Sequence, residues 1–268
     1  MSLDLPLRFS FLPLPPIGLA ALATLGLAVG SFLNVCIHRL PRKSSIVQPA
    51  SSCPHCGYVL RWFDNIPVLS YAILGGRCRK CRAGISIRYP IVEVLTMVIF
   101  VAHYLAFGLD IILVPRLLFA CALLVLFAID LEHHLLPNVI TLPGIVVGLA
   151  FSALLPPGLI DAVIGVLAGG GVLWLVGEAY YRYSGQEGMG GGDVKMLAMI
   201  GAFLGWKLMV LTLVLSSVLG SVVGILVIAS RRGGMKHALP FGTFLSLGAL
   251  VASLFGRQVV DWYIGFYR

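Results

Sequence analysis

Apolar stretches broken by short polar turns fill almost the whole of this 268-residue chain. A bilayer core of about 30 Å takes roughly 20 residues of helix. On that measure spans are expected at 17–37, 90–107, 112–129, 138–155, 159–180, 194–206, 208–230 and 239–256. The sixth is short for a crossing and implies tilt or a locally thinned bilayer. Gly108, Pro115, the Pro137-Asn138 step, Pro156-Pro157-Gly158 and Gly233-Gly234 punctuate the series. Only 11% of residues are charged, against about 25% in a soluble domain. With a mean hydropathy of +0.99, the fold class is an all-α polytopic membrane protein of about eight transmembrane helices. The Ala21-Leu22-Ala23 run has the look of a leader cleavage site, but apolar character continues beyond it. The first span therefore reads as a retained anchor behind a Pro-rich lead-in, Leu12-Pro13-Leu14-Pro15-Pro16.

Basic residues set the orientation. The loop 38–89 holds Arg39, Arg42, Lys43, Arg61, Arg77, Arg79, Lys80, Arg82 and Arg88 against one acid, Asp64. With that loop in the cytoplasm and eight spans, the amino terminus lies outside, and the loops at 130–137, 181–193 and 231–238 are cytoplasmic too. They add Arg182, Arg231, Arg232 and Lys236, with Lys195 just inside the sixth span, so 14 of 19 basic residues fall on one side. The net charge of +8 is thus a matter of topology, with anionic lipid headgroups as a secondary attraction rather than nucleic acid. Small-residue pairs at Gly26/Gly30, Gly144/Gly148, Gly165/Gly169 and Gly220/Gly224 let helices approach closely, and are read as internal packing rather than dimerisation.

The same loop carries Cys53-Pro54-His55-Cys56 and Cys78-Arg79-Lys80-Cys81. Two Cys-x-x-Cys knuckles at this separation supply four thiolates for a zinc-ribbon-like tetrahedral site. Two disulfides would need an oxidising compartment, which the topology denies. Gly57, Gly75 and Gly76 serve the turns. A loop with so little apolar content depends on the metal to fold, and four protein ligands make the role structural. Cys36 and Cys121 lie in apolar spans and read as small buried hydrophobes.

Asp130 and Asp193 each stand where an apolar stretch meets a polar turn, both at the cytoplasmic end of the membrane. A carboxylate in such a chain is costly, about 2.5–3.5 kcal/mol at a helix centre. Two at the same depth suggest a paired-carboxylate site. Charges at about 4 Å and an effective dielectric near 20 repel by about 4 kcal/mol, so one acid keeps its proton while its partner is ionised. The ionised acid can take a proton from water and the protonated one can polarise a scissile carbonyl. Gly190 and Gly192, before Asp193, would let an extended peptide come close to the acid. The plainer alternatives are a helix-end acid for Asp130 and a helix cap for Asp193. Lys195 is either an interfacial anchor or a partner for the ionised carboxylate. Glu93 and Glu178, inside spans, need interior partners, with Arg88 the candidate for Glu93.

These residues together resemble the type IV prepilin peptidases, GxGD-type intramembrane aspartyl proteases of pilus and type II secretion systems. The resemblance is carried by Gly30-Ser31-Phe32-Leu33-Asn34-Val35, Arg39-Leu40-Pro41, the two knuckles, and Ile85-Ser86-Ile87-Arg88-Tyr89-Pro90-Ile91-Val92-Glu93. It continues through the Asp130 segment, Gly190-x-Gly192-Asp193-x-Lys195 and Leu239-Pro240-Phe241-Gly242, in the family's order. It implies Asp130 and Asp193 as catalytic dyad, with Gly190, Gly192 and Lys195 in support. It implies leader cleavage of prepilins or pseudopilins at the cytoplasmic face of the bacterial inner membrane, after a glycine. It also implies N-methylation of the new amino terminus from S-adenosylmethionine, and zinc at Cys53, Cys56, Cys78 and Cys81. Thr243 stands where members often carry proline. No glycine-rich fingerprint marks a methyl-donor site. The expected organisation is a lead-in and first helix at 1–37, a zinc-binding cytoplasmic domain at 38–89 and a transmembrane peptidase core at 90–268. The competing classes are an ion-coupled transporter using the two acids as a proton relay, and a non-catalytic zinc-ribbon membrane scaffold. A transporter site lies near the midplane of repeated halves, whereas these acids lie at one face.

Overall fold

The computed structural model describes residues 16–186, 190–230 and 240–266. The lead-in before Pro16, the Gly188-Met189 step, and the loop 231–238 with Arg231, Arg232 and Lys236 fall outside the described residues. Eight α-helices are described: α1 Pro16–Arg39, α2 Leu69–Ile73, α3 Arg88–Phe107, α4 Leu113–His133, α5 Asn138–Ser152, α6 Leu159–Ser184, α7 Gly191–Ala229 and α8 Phe241–Gly265. Among the described residues β-pairing amounts to two isolated bridges. Six helices are long and apolar enough to cross a membrane: α1, α3, α4, α6, α7 and α8. The shorter α5 has 15 residues, about 22 Å of helix. The chain is a multi-pass membrane protein.

The expected eight spans map onto these helices once α7 is examined. Its 39 residues are not one path, because Gly205 adopts φ 76°, ψ 170° and interrupts the helix. Two pieces result, 191–204 and 206–229. The expected break, at Lys207, was two residues later. Only a glycine enters that conformation without cost, and Pro157 and Asp161 crowd the position where a side chain would sit. Pro115 was read as punctuation but occupies the first turn of α4, where a missing N–H costs nothing. α8 continues to Gly265, past the apolar run expected to end at 256.

The chain divides into two compact units, one through Leu113 and one from Val114 onward. In the first, α1 lies along α3. A methyl group on Gly26 would stand 2.7 Å from Met97 Cα, and one on Gly30 2.7 Å from Glu93 Cα, so both glycines are consumed in the crossing. Asn34 Nδ2 donates to the Tyr89 carbonyl at 3.0 Å. Glu93 accepts the Val68 N–H at 2.8 Å and a hydrogen bond from Ser31. Glu93 is thus met by a backbone donor and a hydroxyl. Val68 has a φ of 59°, strained for a β-branched residue, and the carboxylate holds it there.

In the second unit α7 is central, with α5, α6 and α8 packed on it. Every residue from Met196 to Gly205 is buried, as befits a helix apolar on all sides. The core joins Phe119, Leu123 and Leu126 of α4, Leu173 of α6, Met196 to Leu204 of α7, and Leu245, Ala249 and Ala252 of α8. Phe119 and Phe203 stack at 4.8 Å. Gly144 and Gly148 of α5 abut Met199, Ala202 and Phe203, while Gly165 and Gly169 of α6 abut Gly201 and Leu197. These glycine pairs serve internal packing. Glu178 finds its partner on its own helix, with Arg182 Nε at 2.8 Å.

Candidate functional site

Asp130 lies near the end of α4, is 5% exposed, and points at the start of α8. Its Oδ2 accepts the Thr243 backbone N–H at 2.6 Å and the Thr243 hydroxyl at 3.0 Å. The first N–H groups of a helix have no partner within it, so Asp130 satisfies one from outside. Gly242 makes this possible. A methyl group there would stand 2.9 Å from Asp130 Oδ2 and 2.8 Å from Leu136 Cδ1.

Asp193 occupies the first turn of α7. Its carboxylate reaches back to the backbone N–H of Gly190, the residue that caps this helix, in the manner of a capping box. Each acid is therefore set at the positive end of a helix, where a negative charge is favoured. Leu136, on the turn between α4 and α5, lies between the two glycines that flank these positions. It is 2.9 Å from a methyl group built on Gly192 and 2.8 Å from one built on Gly242. The two carboxyls come within electrostatic reach of one another. One is almost fully buried and one half-buried, so the pair has a dry side and an accessible side.

The supporting residues divide. Gly190 caps α7 and Gly192 lies in its first turn, against Leu136. Lys195 donates from Nζ to Asn138 Oδ1 at 2.9 Å, linking the starts of α7 and α5. Sequence reasoning overlooked Asn138 and Leu136, and noted Thr243 only as a departure from a motif. The sole signal for Thr243 was its place directly after Leu239-Pro240-Phe241-Gly242.

The four loop cysteines converge. All four sulfurs lie within 4.8 Å of one another, with Cys53 to Cys81 at 3.7 Å and Cys56 to Cys78 at 3.9 Å. A disulfide would bring sulfurs to about 2.05 Å. Four sulfurs about 2.3 Å from a tetrahedral ion stand about 3.8 Å apart, so the cluster is the right size for one. The knuckles are built alike. The Cys53 N–H donates to the Tyr58 carbonyl and the Gly57 N–H to the Cys53 carbonyl, while Cys78 pairs with Ala83 and Arg82 with Cys78 in the same pattern. Gly57 and Arg82 take matching positive φ values of 66° and 61°. Bridges Ser52–Val59 and Arg77–Gly84 close the two turns. Asp64 clamps one to the other, accepting from Tyr58 at 3.0 Å and from Arg79 at 2.6 Å.

The sulfurs are primed for a cation. Backbone N–H groups of Cys81 and Lys80 lower Cys78 to about 6. The Ala83 N–H favours a thiolate at Cys81 as well, but burial and the neighbouring sulfurs outweigh it and raise Cys81 to about 11.

Residues 24–107 match the model of the bacterial peptidase A24 N-terminal domain, and residues 117–225 that of the type IV leader peptidase family. A prepilin leader peptidase/N-methyltransferase of Pseudomonas aeruginosa is 38% identical, over 90% of this chain and 92% of its own. One from Pseudomonas putida is 39% identical, over 94% and 96%. One from Myxococcus xanthus is 43% identical, over 82% and 67%. No solved structure matches.

Proposed function

The chain belongs to the type IV leader peptidase family, and from that premise we propose that Asp130 and Asp193 hydrolyse the leader of a prepilin or pseudopilin. The enzyme is then an aspartic endopeptidase and N-methyltransferase of the bacterial inner membrane. The observation that carries the reading is two acids from separate helices, each set at a helix N-terminus beside the same Leu136 and within electrostatic reach of one another. Family membership offers no support for a transporter or a scaffold.

The chemistry of a paired-carboxylate site gives its two acids opposite roles, one ionised and one protonated. The ionised acid takes a proton from water as the water oxygen bonds to the scissile carbonyl carbon. The protonated acid gives its proton to the carbonyl oxygen. On collapse the first acid returns a proton to the leaving amine nitrogen and the second recovers one from the diol, so the C–N bond breaks and the pair is restored. Gly190 and Gly192 leave room for an unwound peptide beside Asp193.

The amino terminus is placed outside, with the loop 38–89 and both acids at the cytoplasmic face. The basic leader of a substrate already in the bilayer would then meet the acids without crossing it. Residues 38–89 form a zinc-binding domain and residues 90–268 the peptidase core, with Cys53, Cys56, Cys78 and Cys81 as ligands. The sulfur spacings fit that ion, whose part is to hold the two knuckles together. S-adenosylmethionine supplies the methyl group for the freed amine, and no residue of this chain is assigned to it.

Mass spectrometry of a prepilin incubated with the purified protein, with and without S-adenosylmethionine, reads both reactions. Loss of the leader in both samples, and one added methyl group only with the donor, is the expected result. An intact prepilin would overturn the reading. Cysteine accessibility mapping that put position 130 or 193 on the outer face would overturn the placement.

A further inference from the structure

One part of the loop 38–89 is held at membrane depth. α3 is 20 residues long, about 30 Å, so it has no turn to spare in crossing a bilayer core of about 30 Å. Its first residue, Arg88, therefore marks the edge of that core, and Glu93 lies about 7.5 Å further in. Ser31, which also reaches Glu93, lies well inside the end of α1 at Arg39, by about 12 Å. Glu93 Oε2 accepts the Val68 N–H at 2.8 Å, so the chain just before α2 is drawn down beside α3 to that level. What it carries there is apolar. Leu69 and Ile73 share one face of α2 and are both exposed, Ile73 at 71%. Trp62, in the 3-10 turn Trp62–Asp64 that packs beside α2, is 80% exposed. Large apolar groups left open on neighbouring elements mark a contact surface. The charge around them is of one sign. Arg77, Lys80 and Arg82 are exposed, while Asp64, the one acid in 38–89, is 1% exposed and held by Arg79.

We propose that α2 and the Trp62 turn form an interfacial anchor, seated in the leaflet from which α1 and α3 emerge, with Trp62, Leu69 and Ile73 among the lipid. An amphipathic segment of this kind sinks its apolar face about 5–10 Å into the boundary between headgroups and acyl chains. That is the depth at which Glu93 holds Val68. A tryptophan settles at this boundary because its ring is apolar over most of its surface and carries one N–H. Arg77, Lys80 and Arg82 then face the headgroups, and an anionic lipid is the occupant their charge selects. A protein partner would also cover these side chains, but it must first be met by diffusion. The bilayer is already there, since α1 and α3 hold both ends of the loop at its surface. The anchor fixes the height of the cysteine ribbon above the membrane. It involves only the first compact unit, so it stands apart from the peptidase reading.

The experiment uses the full-length chain in bilayer nanodiscs, open to solvent on both faces. W174F/W206F/W262F leaves Trp62 as the single tryptophan of the four. Quenching by brominated phospholipid reads contact with acyl chains, and quenching by iodide reads contact with water. In phosphatidylcholine mixed with phosphatidylglycerol, brominated lipid is expected to cut Trp62 emission about two-fold, with little effect of iodide. Adding L69E/I73E puts charge on the immersed face and reverses that order. Adding R77Q/K80Q/R82Q instead lessens the lipid quenching only where phosphatidylglycerol is present. Trp62 open to iodide and untouched by brominated lipid overturns the proposal. Trp62 shielded from both also overturns it, because protein then covers the surface. Equal lipid quenching with and without phosphatidylglycerol overturns the part given to the basic residues. Should L69E/I73E fail to accumulate, the two quenchers on the Trp62-only chain still decide the matter. None of these outcomes depends on whether a prepilin is cut.

Discussion

Gly165 on α6 faces Gly201 on α7 so closely that a methyl group on Gly165 would stand 2.7 Å from the Gly201 carbonyl oxygen and 2.9 Å from its Cα. The obstacle is backbone, so no rotamer change relieves it. The helices must part by the width of a methyl group, and α7 carries Asp193 in its first turn. G165A is expected to lose about 1–3 kcal/mol of stability by overpacking, and to lower cleavage because Asp193 shifts. Gly171 lies on the same helix with nothing within 4 Å of its missing side chain. G171A should therefore be neutral within about 0.5 kcal/mol. Thermal melting of both variants in one detergent checks the contrast, and equal melting would show the crossing to be looser than described.

Neutralising either acid should abolish proteolysis without unfolding the chain. D130N keeps an oxygen for the Thr243 donors and D193N keeps one for Gly190, so both helix starts remain served. Neither amide can exchange the proton the mechanism requires. Cleavage should fall by at least about 1000-fold in each, as with other residues that act as a unit, and the double variant should be no worse than either single. Leader removal at near-parent rates by either one, measured by mass shift of the pilin, would refute the pairing.

Much of this architecture can be read from hydrophobic run lengths, because a bilayer forces each crossing to be an unbroken helix. The run from Val194 to Ala229 is nearly continuous in hydropathy. Its total length forces a division near the middle, which the expected spans 194–206 and 208–230 already contain, but the exact point rests on one backbone angle at Gly205. The α8 end was missed for the opposite reason. Arg257 and Asp261 end the apolar run but not the helix, which continues to Gly265. The acids were legible from their cost in an apolar chain. Their partners were not, since Thr243 is 113 residues from Asp130 and Asn138 is 57 from Lys195, and no periodicity links such positions. The cysteine cluster was the easiest to foresee, because knuckle spacing is itself the geometry of the site.

Replacing Cys53 or Cys78 by serine should release the metal. Each contributes one of four sulfurs drawn together within 4.8 Å, and three ligands leave a ribbon with little core of its own. Structural zinc is worth about 10–16 kcal/mol in small peptides, far more than the Asp64 clamp can replace. C53S and C78S are expected to contain less than about a tenth of the parent metal and to expose the loop to protease. A chelator should do the same to the parent chain. Stoichiometric zinc in C53S by elemental analysis would mean that the cluster is not the metal site.

Lys195 offers a sharper choice, because its partner is described. Nζ donates to Asn138 Oδ1 at 2.9 Å, tying the first turn of α7, two residues past Asp193, to the first residue of α5. If this tie sets the approach of Asp193, K195M and N138A should each lower kcat by about three- to ten-fold, the range of one lost hydrogen bond. The double variant should be no worse than either single, since both remove the same interaction. If Lys195 acted instead as a charge on the acids, K195M alone would be slow and N138A would cut normally. A double-mutant cycle on kcat separates the two, and additive losses would show the bond to be incidental to cleavage.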